Sequence, residues 1–209
     1  MSKFLLSAFI LPLLPLLVAG GARHASAQAA SAAASKDTTA PSYDMKAQSL
    51  LDLDGVNKKF VSLANALPQN KFTWRPSADA RSFAEVLLHV AGERYQILAL
   101  MGAPVPAGFD PKAYEHSTTD KAKIIDDLNT TSAFAQSTID GMSNADFAKL
   151  VPKLGPQANE GDVVYILVAD AHEHLGQSVA YARVNGVVPP WTVAAKKKAA
   201  ERKSQPQTQ

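Results

Sequence analysis

Four long stretches of this chain repeat apolar residues every three or four positions, and none alternates apolar with polar over a strand's length. That period selects helices that bury one face each and argues against a sheet. The first stretch covers about residues 42–67, carries Leu50, Leu53, Val56, Phe60 and Leu63, and stops at Pro68. The second opens on the capping box Ser82-Phe83-Ala84-Glu85 and covers about residues 82–101, before Gly102, Pro104 and Pro106. The third, about 119–140, is capped by Thr118 or Thr119, carries Ile124, Leu128, Phe134 and Ile139, and breaks at Gly141. A short extra helix is expected from Ser143 to about Val151, and a loop of about 15 residues before the third helix. The fourth long helix covers about 160–185, with Gly186 at its end. The prediction is an all-α, antiparallel four-helix bundle with a short extra helix between the third and fourth long helices.

The two ends read differently. Met1, Ser2 and Lys3 form a positive start, Phe4 to Ala19 is apolar, and Ala25-Ser26-Ala27 is a small-x-small cleavage pattern. Residues 1–27 are therefore expected to be a signal peptide cut before Gln28, which makes the protein periplasmic or secreted. The alternative is a retained membrane anchor, but the apolar run is about 16 residues, short of the roughly 20 a span needs, and holds Pro12 and Pro15. No stable membrane insertion is expected after cleavage. Residues 28–41 read as a flexible linker, 42–192 as the bundle domain and 193–209 as a basic, disordered tail.

Charge narrows the partners. Loss of Lys3 and Arg23 with the leader would leave 19 acidic groups against equally many basic ones. Because Lys196, Lys197, Lys198, Arg202 and Lys203 crowd the tail, the folded part is net acidic, and no nucleic-acid partner is expected. The chain has no cysteine, so disulfides, a lipid-anchored cysteine and thiolate ligands are excluded.

Four histidines follow the leader: His89, His116, His172 and His174. On the fourth helix, Val164, Leu167, Ala171 and Leu175 set the apolar stripe. Asp170 and His174, four residues apart, lie about 40° from one another at its edge. His172 falls about 160° from His174, so His172-Glu173-His174 is not a chelate. On the second helix His89 and Glu93 make a similar pair beside Val86, Val90 and Ile97. If the two edges meet, His89, Asp170 and His174 form a two-histidine, one-carboxylate site for zinc, nickel, manganese or iron. Glu93 is then a further ligand, a neighbour of a ligand, or a candidate catalytic base. Spacing alone equally allows a histidine in a salt link and another exposed to solvent.

The segments His174-Leu175-Gly176-Gln177, Tyr181-Ala182-Arg183, Asn185-Gly186 and Pro189-Pro190 resemble the end of the last core helix in the DinB family. Trp74-Arg75-Pro76, the Ser82 capping box and Leu88-His89-Val90 resemble that family's second helix and its approach. The likeness covers about residues 50–191. It implies an antiparallel four-helix bundle, often dimeric, so a homodimer is among the expected assemblies. It also implies a divalent metal held by three histidines, one on the second helix and two, four residues apart, on the last. Carried over, His89 and His174 are ligands and Asp170 stands where the family has a histidine. Gln177 and Tyr181 follow on the same side and are expected to support the ligands. Gly176 is expected to permit close helix approach, Trp74 and Trp191 to cover the bundle ends, and His116 to be solvated.

Some members of that family are metal-dependent thiol transferases or hydrolase-like enzymes. The sequence therefore supports an exported enzyme of hydrolase or transferase type that acts on an unidentified small molecule through a metal-activated water or thiol. The alternative is a non-catalytic metal- or ligand-binding bundle of the cell envelope. A purely structural bundle would require the two histidine edges to lie apart.

Overall fold

A computed structural model describes residues 43–204. The expected signal peptide and linker lie outside the described residues. Six α-helices follow in order: α1 Met45–Ala66, α2 Phe83–Ala99, α3 Pro111–Glu115, α4 Lys121–Asp140, α5 Glu160–Val184 and α6 Pro190–Ser204. Short 3-10 turns occupy Gln69–Lys71 and Asp146–Ala148. Among the described residues the sole β pairing is one bridge between Leu150 and Asn159.

Each long helix starts where a side chain can satisfy its free N–H groups. The Ser82 hydroxyl accepts from the Glu85 amide while the Glu85 carboxylate accepts from the Ser82 amide. Asn159 and Asp162 do the same for α5. α4 is capped by Asp120 rather than by Thr118 or Thr119, and Thr118 instead accepts from the Asp120 amide. At the far end of α5, Gly186 takes φ +79° and the Val187 amide reaches back to the Ala182 carbonyl. A left-handed residue is needed there, and glycine supplies it without a Cβ clash.

α1, α2, α4 and α5 make the bundle. α1 packs on α4 and α5, and α2 packs on α4 and α5, so α1 faces α2 across a diagonal. Phe72, fully buried in the connection after α1, fixes which ends meet. It stacks edge-on against Phe83 at the start of α2, with Lys121 at the start of α4 over its ring. Lys46 at the start of α1 reaches the Asp140 and Met142 carbonyls at the end of α4. Trp74, just before α2, packs on Tyr181, near the end of α5. α1 is therefore antiparallel to α4, and α2 is antiparallel to α5. α1 and α2 lie on one diagonal and α4 and α5 on the other, so the antiparallel partners α1–α4 and α2–α5 are brought together by crossovers. Phe60, Leu63, Phe83, Leu87, Leu128 and Leu167 fill the centre.

Two expectations need correction, and a third element is shorter than expected. The segment expected to be a loop before the third long helix contains α3, whose Asp110 caps the Lys112 and Ala113 amides and whose Pro111 suits a first helical turn. The expected disordered tail is helical through Ser204. Alanine, lysine, glutamate and arginine dominate it, all strong helix formers, and no breaker intervenes between Pro190 and Ser204. The expected extra helix before α5 is one 3-10 turn, Asp146–Ala148, because Lys149 turns extended and the next residue pairs with Asn159.

Candidate metal centre

Because α2 and α5 are antiparallel neighbours, their polar edges meet. The His89 and His174 rings stand edge to face with centroids 4.7 Å apart. One donor atom from each of His89, Asp170 and His174 lies within 4.8 Å of the others. Two donors at about 2.1 Å from one ion stand at most about 4.2 Å apart, so the three donors lie close to the spacing that one ion needs. His172, two residues before His174, is exposed on the other side of α5.

Each imidazole is held through its Nδ1. His174 Nδ1 is 2.8 Å from Gln177 Oε1, and the Gln177 amide donates to the Tyr181 hydroxyl at 3.1 Å. Trp74 packs on that tyrosine, so an aromatic lid fixes the chain that orients His174. His174 Nε2 faces Asp170 Oδ1 at 3.3 Å. With Nδ1–H donated to Gln177, Nε2 keeps its lone pair toward the site. His89 Nδ1 lies 3.2 Å from Glu115 Oε2 and 3.8 Å from Glu93 Oε1. A carboxylate accepting from Nδ1–H leaves His89 Nε2 free in the same way and makes the ring a stronger donor.

Glu115 is the residue that sequence reasoning missed. It closes α3, and its other oxygen accepts from Arg81 Nε at 2.6 Å. Nothing in local periodicity connects residue 115 with residue 89. The available signal was Asp110-Pro111, a helix start inside the supposed loop. The neighbouring His116 is largely exposed and comes within 3.3 Å of Glu85. Gly176 is exposed, and a Cβ there would meet nothing within 4 Å, so it permits no close approach.

The electrostatics are unbalanced. Glu93, Glu115 and Asp170 place three carboxyl groups around two imidazoles, with Arg81 as the basic partner of Glu115. The Glu93 carboxyl is pushed up by burial and then by the charge of Asp170. The His89 imidazole is pushed down by burial and by Arg81. His174 is pushed up, chiefly because Asp170 can accept from Nε2–H when the ring is protonated. Opposite shifts in two touching imidazoles mark a site where one proton is readily held and a second is not. The donor set suits a divalent ion on both counts: two imidazoles and one carboxylate as ligands, and surplus negative charge to offset.

The chain matches the family model of the DinB superfamily over residues 52–178. Among solved structures it is similar to YfiT from Bacillus subtilis, described as a probable metal-dependent hydrolase with an unusual four-helix bundle topology. The two share 13% identity at a TM-score of 0.55, over 71% of this chain and 93% of that one. This likeness shows the fold. A search of curated proteins finds no match. With the matched residues spanning most of the bundle, from α1 well into α5, the chain belongs to the DinB superfamily.

Proposed function

We propose that this protein is an exported, divalent-metal-dependent enzyme of hydrolase or transferase type. His89, Asp170 and His174 would hold the ion, and Glu93 would serve as the base. The observation that carries the reading is the convergence of those three donors with both Nδ1 atoms already engaged. The neighbouring structure's description as a metal-dependent hydrolase supports the same class. A bound zinc, nickel, manganese or iron ion would supply Lewis-acid activation of a water or thiol. The chain's own groups do the rest. Gln177 and Glu115 set the tautomer and direction of the two imidazoles. Half-buried Glu93, its carboxyl pushed up by burial and by the charge of Asp170, stands beside His89 where it can accept and return a proton.

Metal-loaded and chelated protein should be assayed on a panel of small esters, amides and thioesters. The expected outcome is metal-dependent turnover that Glu93→Gln reduces at least about a hundredfold while metal content stays unchanged. Stoichiometric metal with no turnover would favour the non-catalytic binding bundle instead. Export rests on the N-terminal pattern. Mass spectrometry of envelope-fraction protein should find Gln28 first, and an intact Met1 or Ser2 terminus would contradict it.

A further inference from the structure

Glu85, His89 and Gly92 follow one another at spacings of four and three residues, so they share one face of α2. The end of α3 and its cap meet that face in reverse order. His116 Nδ1 is 3.3 Å from Glu85 Oε1, Glu115 Oε2 is 3.2 Å from His89 Nδ1, and the Tyr114 ring lies against Gly92. Three consecutive residues of the α3 segment are thus matched to three successive positions along α2. A shift of one carries the others with it.

Gly92 is what allows this fit. It is buried, and a Cβ there would stand 3.2 Å from Tyr114 Cδ1 and 3.6 Å from Phe109 Cζ. Carbon atoms in ordinary contact lie about 3.5–4.0 Å apart, so a larger side chain would push the Tyr114 ring away. Glycine in mid-helix weakens the helix, and the seat of Tyr114 is the gain that offsets this loss. α3 has five residues, too few to hold a helix by its own hydrogen bonds, so its place is set by what it packs on, chiefly α2. Pro111, Lys112 and Ala113 are exposed, whereas Tyr114 packs against the core and meets the rings of Tyr95 and Phe109 at 6.5 and 5.5 Å.

We infer that Gly92 and Tyr114 are positioning residues of the metal centre. They seat α3 so that Glu115 holds the proton of His89 on Nδ1 and leaves Nε2 open to an ion. What this implies for the ion rests on the metal-binding reading proposed above; the effect on His89 stands apart from it. By linkage, the ion and the docking of α3 strengthen one another by the same factor.

The first arm of the test uses metal-free, histidine-labelled protein at about pH 8. Long-range proton–nitrogen spectra report which ring nitrogen carries the proton. The parent His89 should carry it on Nδ1. Gly92→Val, which crowds Tyr114, and Tyr114→Ala, which removes the seat without crowding, should both move it toward Nε2. Tyr114→Phe, which keeps the ring, should leave it in place. The second arm reads zinc affinity by competition with a fluorescent chelator. Gly92→Val and Tyr114→Ala should each weaken zinc about tenfold or more, and Tyr114→Phe by less than about twofold. In a Glu115→Ala background, Gly92→Val and Tyr114→Ala should cost less than about twofold more, because their effect passes through Glu115. A general lesion of the fold would add in full. Absence of zinc binding in the parent would contradict the metal-binding reading alone. A His89 proton on Nε2 in the parent, one that stays on Nδ1 in both Gly92→Val and Tyr114→Ala, or losses of zinc affinity that add in full to that of Glu115→Ala would each overturn the positioning role.

Discussion

Glu93 and Arg94 are consecutive on α2, yet they enter two different kinds of polar interior. Arg94 is 2% exposed and donates to the Leu128 carbonyl at 2.6 Å, Thr131 Oγ1 at 3.0 Å and Asn57 Oδ1 at 2.9 Å. These acceptors are neutral and come from α1 and α4. Burial lowers its guanidinium to about 10, which still leaves it charged at neutral pH. The cluster ties three helices. Glu93 faces the other way, into a half-buried edge with several carboxyl groups, two imidazoles and opposed pKa shifts. A polar cluster complete in itself stabilises the fold. One with surplus like charge and free lone pairs calls for a ligand.

The largest effect should come from the complete cluster. Arg94→Ala removes the donors from three buried acceptors and leaves a void, so stability should fall by about 3 kcal/mol. Urea unfolding at constant m-value measures it, and Arg94→Lys should recover part of the loss. By contrast, His89→Ala or His174→Ala should cost the metal-free fold about 1 kcal/mol or less, because these side chains lie at the bundle's edge. An equal loss of stability at both places would erase the distinction.

Supporting groups come next. Glu115→Gln should weaken metal affinity by about 10–100-fold, since it removes the charge on the partner of His89 Nδ1, at nearly unchanged stability, since the partly exposed Arg81 pair that it also weakens contributes little. Competition with a fluorescent chelator reads it. Asp170→His restores the three-histidine pattern the DinB resemblance implies, and should hold or tighten zinc or nickel relative to the parent.

The smallest effect is on the pH dependence of the metal-free fold. His174 has a raised pKa, so its contribution is fully present below the unfolded value near 6.5 and is lost as pH rises through the folded one. His89 has a lowered pKa, so the fold loses stability as pH falls below about 6.5. Relative to the parent, His174→Gln should therefore be less stable at pH 5 than at pH 8, and His89→Gln should be more stable at pH 5 than at pH 8. Paired urea midpoints in chelator, each referred to the parent, give the sign. Both variants moving the same way would contradict the assignment.

Much of the bundle was legible in the sequence. Long amphipathic helices announce themselves by period, and Pro68, the Ser82 box and Gly186 mark their ends locally. The edge residues His89, Asp170 and His174 were visible because helical angles are set by spacing. What was not legible arises from tertiary proximity. α3 is too short to show a period, so nothing in the sequence signals that Glu115 reaches His89. Arg94 sat unremarked on an apolar face, and its acceptors lie more than thirty residues away in either direction. The diagonal placement of α1 and α2 depends on crossovers that no local pattern encodes.

Metal content tests the central claim most directly. Untagged protein purified without chelator should be analysed for its elements beside the His89→Ala, His174→Ala double variant. The parent should carry about one divalent ion per chain and the folded double variant essentially none, because two of three ligands are gone. Equal metal in both, or none in the parent even after incubation with zinc, nickel, manganese and iron, would contradict it.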